Sequence, residues 1–227
     1  MIVCDSFLFL HLHKSGGTFV NSMMMKCISS ARRVGYHLPY AEAPEACRHL
    51  PVLGTVRNPW SYYVSWYHFQ QSQARPNPLF WICSEDRSLD FSGTIRNLVT
   101  LENDGGRLDR LVAAFPGHFV NYGLNLTKNC MEKIRGSGQG FYSFLYERLY
   151  AGADAHIMPM ESLRAELNAI PLGLNPAETM MTRQFLLSVP NLNVSDHRPY
   201  QDYYSSELRA LIAGMDGKLI DRHGYVF

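Results

Sequence analysis

The sequence has almost no net charge, few cysteines and no long apolar run, and each shortage excludes something. Its 227 residues carry 21 Lys and Arg against 20 Asp and Glu, for a formal net charge of +1. A chain without a surplus of basic groups lacks the broad electrostatic grip that a nucleic acid requires, so any anion it binds must be held locally by a few placed groups. The five cysteines (Cys4, Cys27, Cys47, Cys83 and Cys130) are odd in number and widely spaced. With no Cys-x-x-Cys pair and no clustered Cys/His spacing they do not read as a zinc site, and inert thiols in a reducing compartment are expected. The apolar run from Phe7 to Leu10 is far too short to cross a bilayer, and no basic segment or small-residue cleavage site precedes it. A soluble, cytoplasmic protein without a membrane span is the expectation, and the sequons at Asn125 and Asn193 then carry no meaning.

What is present is an ordinary globular composition, 46% apolar, long enough to bury a large core within a single domain over residues 1–227. Phe7 to Leu10 reads as a buried parallel strand that stops at a polar, glycine-bearing stretch, after which Phe19, Val20, Met23, Met24, Cys27 and Ile28 recur at helical spacing. The Met23–Met25 triplet reads as core filling. A short strand is expected over Arg33 to Tyr36 and a buried one over Val52 to Arg57, leading into a helix with Asn58 as N-cap and Pro59 at its first position. This βαβ alternation predicts an α/β fold of P-loop-like, three-layer type, a central parallel sheet flanked by helices. Residues 72–90 read as loop, and residues 72–150 as a helical and loop insertion before a strand at His156 to Met158. A helix starts at Asn175-Pro176-Ala177-Glu178, and one last helix carries Leu208 to Ile220 as a single stripe, capped by Ser205 and ended by Gly224.

The chemistry concentrates in two places. Glycines placed after a buried strand and before a helix let successive N–H groups point at one anion, and Lys14-Ser15-Gly16-Gly17-Thr18 fits that geometry. Lys14 adds a full charge and Thr18 a hydroxyl donor. The Walker A pattern puts its Lys after the final Gly, whereas Lys14 precedes both glycines, so an ATP-binding P-loop is a poor match. The second place is Arg57, at a strand's carboxyl end, with Ser65 about two helical turns on; ligands of open α/β sheets sit beyond such strand ends.

The stretch Phe9 to Thr18 resembles the 5'-phosphosulfate loop of sulfotransferases that use 3'-phosphoadenosine-5'-phosphosulfate (PAPS), in the carbohydrate and heparan-type branch with its His-x-x-Lys-Ser/Thr-Gly-Gly-Thr pattern. Val56-Arg57-Asn58-Pro59-Trp60 through Ser65-Trp66-Tyr67 resembles the same family's 3'-phosphate motif, and Tyr203 to Leu208 with Asp221 to Tyr225 resembles its last helix. The likeness covers both ends of the chain and little of residues 72–150. His13 stands where the family often has Pro, which leaves Lys14 in place but changes the turn. The resemblance implies transfer of a sulfuryl group from PAPS to a hydroxyl of a small-molecule or carbohydrate acceptor, with release of PAP and no metal. It implies that Lys14, Ser15, Gly16, Gly17, Thr18 and Phe19 meet the 5'-phosphosulfate, that Arg57 and Ser65 hold the 3'-phosphate, and that Arg198 touches it from a loop before the last helix.

An acceptor hydroxyl needs a base within hydrogen-bond reach. Related carbohydrate sulfotransferases carry a His or Glu base after the second strand, and His37 is the match; Glu42 or Glu45 is the alternative. His11 is expected to support the loop from the strand end and His68 to be a partly exposed helix residue. The aromatic set Trp60, Tyr62, Tyr63, Trp66, Tyr67 and Phe69 reads as core, with stacking on an adenine as the functional alternative. Two other readings stand beside the transferase: a P-loop nucleotide kinase, which lacks its lysine and acidic magnesium ligand here, and a nucleotide-binding module without transfer activity.

Overall fold

A computed structural model describes residues 1–120, 123–192 and 195–227, so the Asn193 sequon lies outside the described residues. The strands are β1 (Ile2–Val3), β2 (Leu8–Leu10), β3 (Arg32–Arg33), β4 (Val52–Val56) and β5 (Ala155–Pro159). The helices are α1 (Gly17–Cys27), α2 (Pro59–Ser72), α3 (Pro78–Cys83), α4 (Phe91–Val99), α5 (Gly105–Ala114), α6 (Lys128–Glu132), α7 (Phe141–Tyr150), α8 (Leu163–Ala169), α9 (Pro176–Ser188), α10 (Ser206–Met215) and α11 (Gly217–His223). The chain divides into two compact units, Met1–Arg57 with Glu147–Val194, and Asn58–Tyr146 with Ser195–Phe227. Among the described residues no helix is long and apolar enough to cross a membrane.

The first unit holds a five-stranded sheet in the order β3-β1-β2-β4-β5. β2, β4 and β5 run parallel, as the βαβ pattern predicts, while β1 is antiparallel to both β2 and β3. The sheet is therefore mixed, parallel only in its core. The reason is local: β1 reaches β2 through a tight turn in which the Cys4 N–H donates to the Phe7 carbonyl at 3.0 Å, and so short a link permits only an antiparallel return. Both residues of β3 are exposed arginines, a charged edge that discourages pairing with another sheet. Alternation along the strands sends Phe9, Leu53 and Met158 to one face, where Val20, Met23 and Met24 of α1, Leu163 of α8 and Phe185 and Leu186 of α9 cover them. Met23 and Met24 are thus core, while Met25 faces outward. On the other face a Cβ at Gly54 would fall 2.4 Å from Tyr150 Cε1. The missing side chain lets the Tyr150 hydroxyl accept from the Thr55 N–H and donate to the Thr55 carbonyl, both at 2.8 Å. Helix, sheet and helix form the three layers of an α/β fold.

In the second unit Asn58 caps α2, its side-chain oxygen accepting from the Trp60 and Ser61 N–H groups. The 72–90 segment is not all loop: α3 lies within it, started by the same signature, with Asn77 accepting from the Phe80 N–H and Pro78 at the first position. The aromatic set of α2 is core except for Phe69, which is half-buried. Tyr62 stacks on Tyr142 at 3.8 Å between centroids, and Trp66 and Tyr67 each meet Phe80 at 5.6 Å. The single last helix expected from Leu208 to Ile220 is two, α10 and α11, broken at Asp216. That carboxylate is fully buried, accepting from the Tyr63 hydroxyl at 2.7 Å and the Ser143 N–H at 2.9 Å.

Candidate functional site

The turn after β2 spans residues 13–16 and carries backbone of unusual sign: φ is 53° at Lys14 and 80° at Gly16. Gly16 adopts this freely, and any side chain there would also meet Leu163, since a Cβ would lie 2.8 Å from its Cδ2. At Lys14 the same sign is a strained choice for a residue with a side chain, held in place by its surroundings. Turns of this kind gather backbone N–H groups into one concavity. Gly17 and Thr18 open α1, where the first N–H groups have no acceptor within the helix, and Thr18 is exposed. Two of the residues expected here are engaged otherwise through their side chains. Ser15 is fully buried and its hydroxyl donates to the His13 carbonyl at 3.1 Å, bracing the turn. Phe19 is core, its ring 5.3 Å from that of Phe185 and covered by the Arg164 guanidinium at 4.4 Å, while its N–H donates to the Gly16 carbonyl.

Two cations share this turn. Arg57 follows β4, which pairs in parallel with β2, so both chain exits leave the same end of the sheet. Its Nη1 donates to the Lys14 carbonyl at 3.1 Å. Burial, with a smaller push from Arg57, lowers the Lys14 amine to about 8, so it keeps its proton at neutral pH at an energetic cost that an anion would relieve.

Behind the turn stand three imidazoles. The ring of His37 lies 4.3 Å, centroid to centroid, from those of both His11 and His13. His37 Nδ1 is 2.8 Å from the His11 carbonyl oxygen. A carbonyl can only accept, so Nδ1 carries the proton and Nε2 is left with its lone pair. Burial drives the His37 imidazole down to about 4 against the opposing pull of that hydrogen bond, so it is neutral at physiological pH. His37 itself has φ of 46°, a second strained non-glycine position at the same end of the sheet. His11 is buried, and burial followed by the neighbouring His37 and His13 holds it well below the ordinary imidazole range. The structure thus brings Lys14, Arg57 and His37 onto one turn of the first unit.

The motif reading did not single out Asn21, whose side-chain nitrogen is 3.0 Å from His11 Nδ1. Helical periodicity could have found it, since Asn21 lies four residues after Gly17 on the same face of α1. The second helix-opening glycine is required by this same ring: a Cβ at Gly17 would fall 1.8 Å from His11 Cδ2. Gly17→Ala is expected to displace His11, lower the melting temperature by an overpacking cost of about 1–3 kcal/mol and disorder the turn; a variant melting with the wild type contradicts this contact.

Of the remaining expected residues, Ser65 and Arg198 belong to the second unit and Glu42 and Glu45 to the first. Ser65 is 2% exposed and its Oγ lies 3.1 Å from Ser195 Oγ. Arg198 is exposed, its guanidinium 5.1 Å from the Tyr203 ring centre. Glu42 and Glu45 are exposed on short 3-10 turns after His37. All five cysteines are free thiols.

A glycine-bearing turn with two cations at the carboxyl end of parallel strands, opening a helix, defines an α/β protein equipped to hold an anion. No family model and no curated protein matches the chain. Among solved structures the chain is similar to mouse sulfotransferase SULT7A1 in complex with PAP, at 12% identity and a TM-score of 0.45, over 91% of this chain and 81% of that one.

Proposed function

We propose that the protein is a sulfotransferase that moves a sulfuryl group from PAPS to a hydroxyl of a sugar or other small alcohol. The observation that carries this reading is the sharing of one strained turn by Lys14, Arg57 and a neutral His37 whose Nε2 holds a lone pair, at residues whose motifs resemble the PAPS-binding loop. The acceptor oxygen attacks sulfur, the bond from sulfur to the bridging oxygen of the phosphosulfate breaks, PAP departs, and the hydroxyl proton passes to His37 Nε2. Lys14 meets the charge that develops on the bridging oxygen, aided by the N–H groups of Gly16, Gly17 and Thr18. Arg57, Ser65 and Arg198 take the 3'-phosphate, fixing the donor for in-line transfer. Ser15 contributes by bracing the turn and Phe19 by anchoring α1 to the core.

The test is ligand preference followed by transfer. PAP and PAPS are expected to raise the melting midpoint by mass action where ATP with magnesium does not, and radiolabelled PAPS presented with sugar, phenol, lipid and small-alcohol acceptors is expected to label one class. Preference for ATP with magnesium sinks the reading.

A pH dependence follows from Lys14. With the free amine at about 8, the free protein loses this proton as pH rises through that value. Anion binding favours the charged amine and must then take a proton back up, so the Lys14 contribution makes PAP affinity fall more steeply above about pH 8, by up to about tenfold per unit. Calorimetric titrations at pH 7, 8 and 9 check this, with Lys14→Arg expected to flatten the fall; a flat wild-type profile contradicts it.

A further inference from the structure

The second unit carries a histidine pair that the transfer step does not use. Ser65 and His68 are one turn apart on the same face of α2, and the segment after residue 194 matches them in register. Ser195 meets Ser65, Oγ to Oγ at 3.1 Å, and the His197 ring stacks on the His68 ring at 5.5 Å with 28° between planes. His197 Nδ1 lies 2.7 Å from the Arg198 carbonyl oxygen, so it carries the proton and leaves Nε2 as an acceptor of another. His68 Nε2 is buried without a hydrogen-bond partner among the described residues, a cost that native structures seldom leave standing without a use. The charged and titratable groups around His68 are His197, Arg198 and Asp196 on the loop, Tyr67 on α2 and Tyr203 before α10, the last two touching its ring edge-on at 5.3 and 4.9 Å. His197, Arg198 and the two tyrosine rings therefore surround His68, with the exposed carboxylate of Asp196 nearby.

We infer that His68 and His197 are specificity-determining residues that recognise a phosphate monoester beside Ser65, taking up a proton when it binds. Resting on the donor reading above, this assigns the pair the task of telling PAP from adenosine 5'-phosphate, which lacks the 3'-phosphate. Stacked against the His197 ring, His68 can take up one added proton, and a dianionic phosphate supplies the field that makes that proton favourable. Burial and the neighbouring His197 hold His68 below the ordinary imidazole range in the free protein, so the proton arrives with the ligand.

Calorimetry of the full chain at pH 7, in two buffers of different ionisation enthalpy, counts the protons taken up with each nucleotide. Contributions from Lys14 are common to both nucleotides and cancel in the difference. PAP is expected to bring in a larger fraction of a proton than adenosine 5'-phosphate does. His197→Phe, a change on the loop that should spare folding, and His68→Phe are each expected to abolish the excess and cut the preference for PAP about tenfold, as loss of a charged hydrogen bond would. Unchanged proton uptake and preference in His197→Phe overturn the inference while leaving the donor reading intact. A wild type that does not bind PAP overturns the donor reading, and the inference with it.

Discussion

Replacing Lys14 with Met is expected to lower turnover about 100- to 1000-fold, the scale of removing one preorganised donor from a developing oxyanion, while leaving PAP affinity much less affected. The separation is expected because the two halves of Lys14 do different work. Its carbonyl accepts from Arg57 Nη1 at 3.1 Å, a contact that any side chain preserves, so the turn and the Arg57 cation should stay in place. Its amine is buried and held down to about 8, which marks a charge in a low-dielectric setting, where interactions with new negative charge are strongest. Met keeps the length of the stem and the strained φ of 53° and removes the charge alone. Lys14→Arg restores a cation but with a planar fork in place of a compact ammonium, and should recover binding better than turnover. The measurements are kcat with labelled PAPS and Kd for PAP on each variant. Turnover within about threefold of wild type in Lys14→Met would remove the amine from the chemical step.

Elements were legible in the sequence where they depend on local chemistry. The Asn-Pro start of α2, the Asn175 cap of α9, the Ser205 cap of α10 and the left-handed Gly224 all stand where backbone geometry demands those residues. The same signature stands at Asn77-Pro78, where surrounding prolines and polar groups that resemble a loop mask α3 in the sequence. Non-local contacts were not legible. β1 and β3 have two residues each and exist through pairing across the sheet, and no periodicity can appear in a pair. The break at Asp216 comes from Tyr63 and Ser143, distant in sequence. Motif likeness pointed to Lys14, Arg57 and His37. It could not assign Ser15 to bracing the turn or Phe19 to the core, because a buried hydroxyl and a ligand-facing one look alike in a sequence. Nor could it see that Gly17 is needed to admit His11.

His37→Asn is expected to lower kcat about 100- to 10,000-fold, the usual worth of a positioned base, with PAP binding retained. Asn is the informative replacement because it tolerates the positive φ of this position, 46°, and can still donate an amide hydrogen to the His11 carbonyl that now holds Nδ1 at 2.8 Å. What it lacks is the Nε2 lone pair. The pH profile separates a base from a merely supporting ring. Wild-type activity should fall toward acid as His37 takes a proton, and the inflection should lie above the value of about 4 that burial sets in the free protein, because bound PAPS brings negative charge that favours the imidazolium. In His37→Asn the residual activity should have no such limb. Full turnover at saturating acceptor, or an acid limb that survives the substitution, would sink the role. The low value in the free protein has a mechanistic consequence. An imidazole held near 4 is a poor proton acceptor at neutral pH, however well its Nε2 is aimed. The base becomes effective only as the donor's charge raises it, so the same anion that Lys14 and Arg57 hold prepares His37, and deprotonation of the acceptor is tied to a loaded donor.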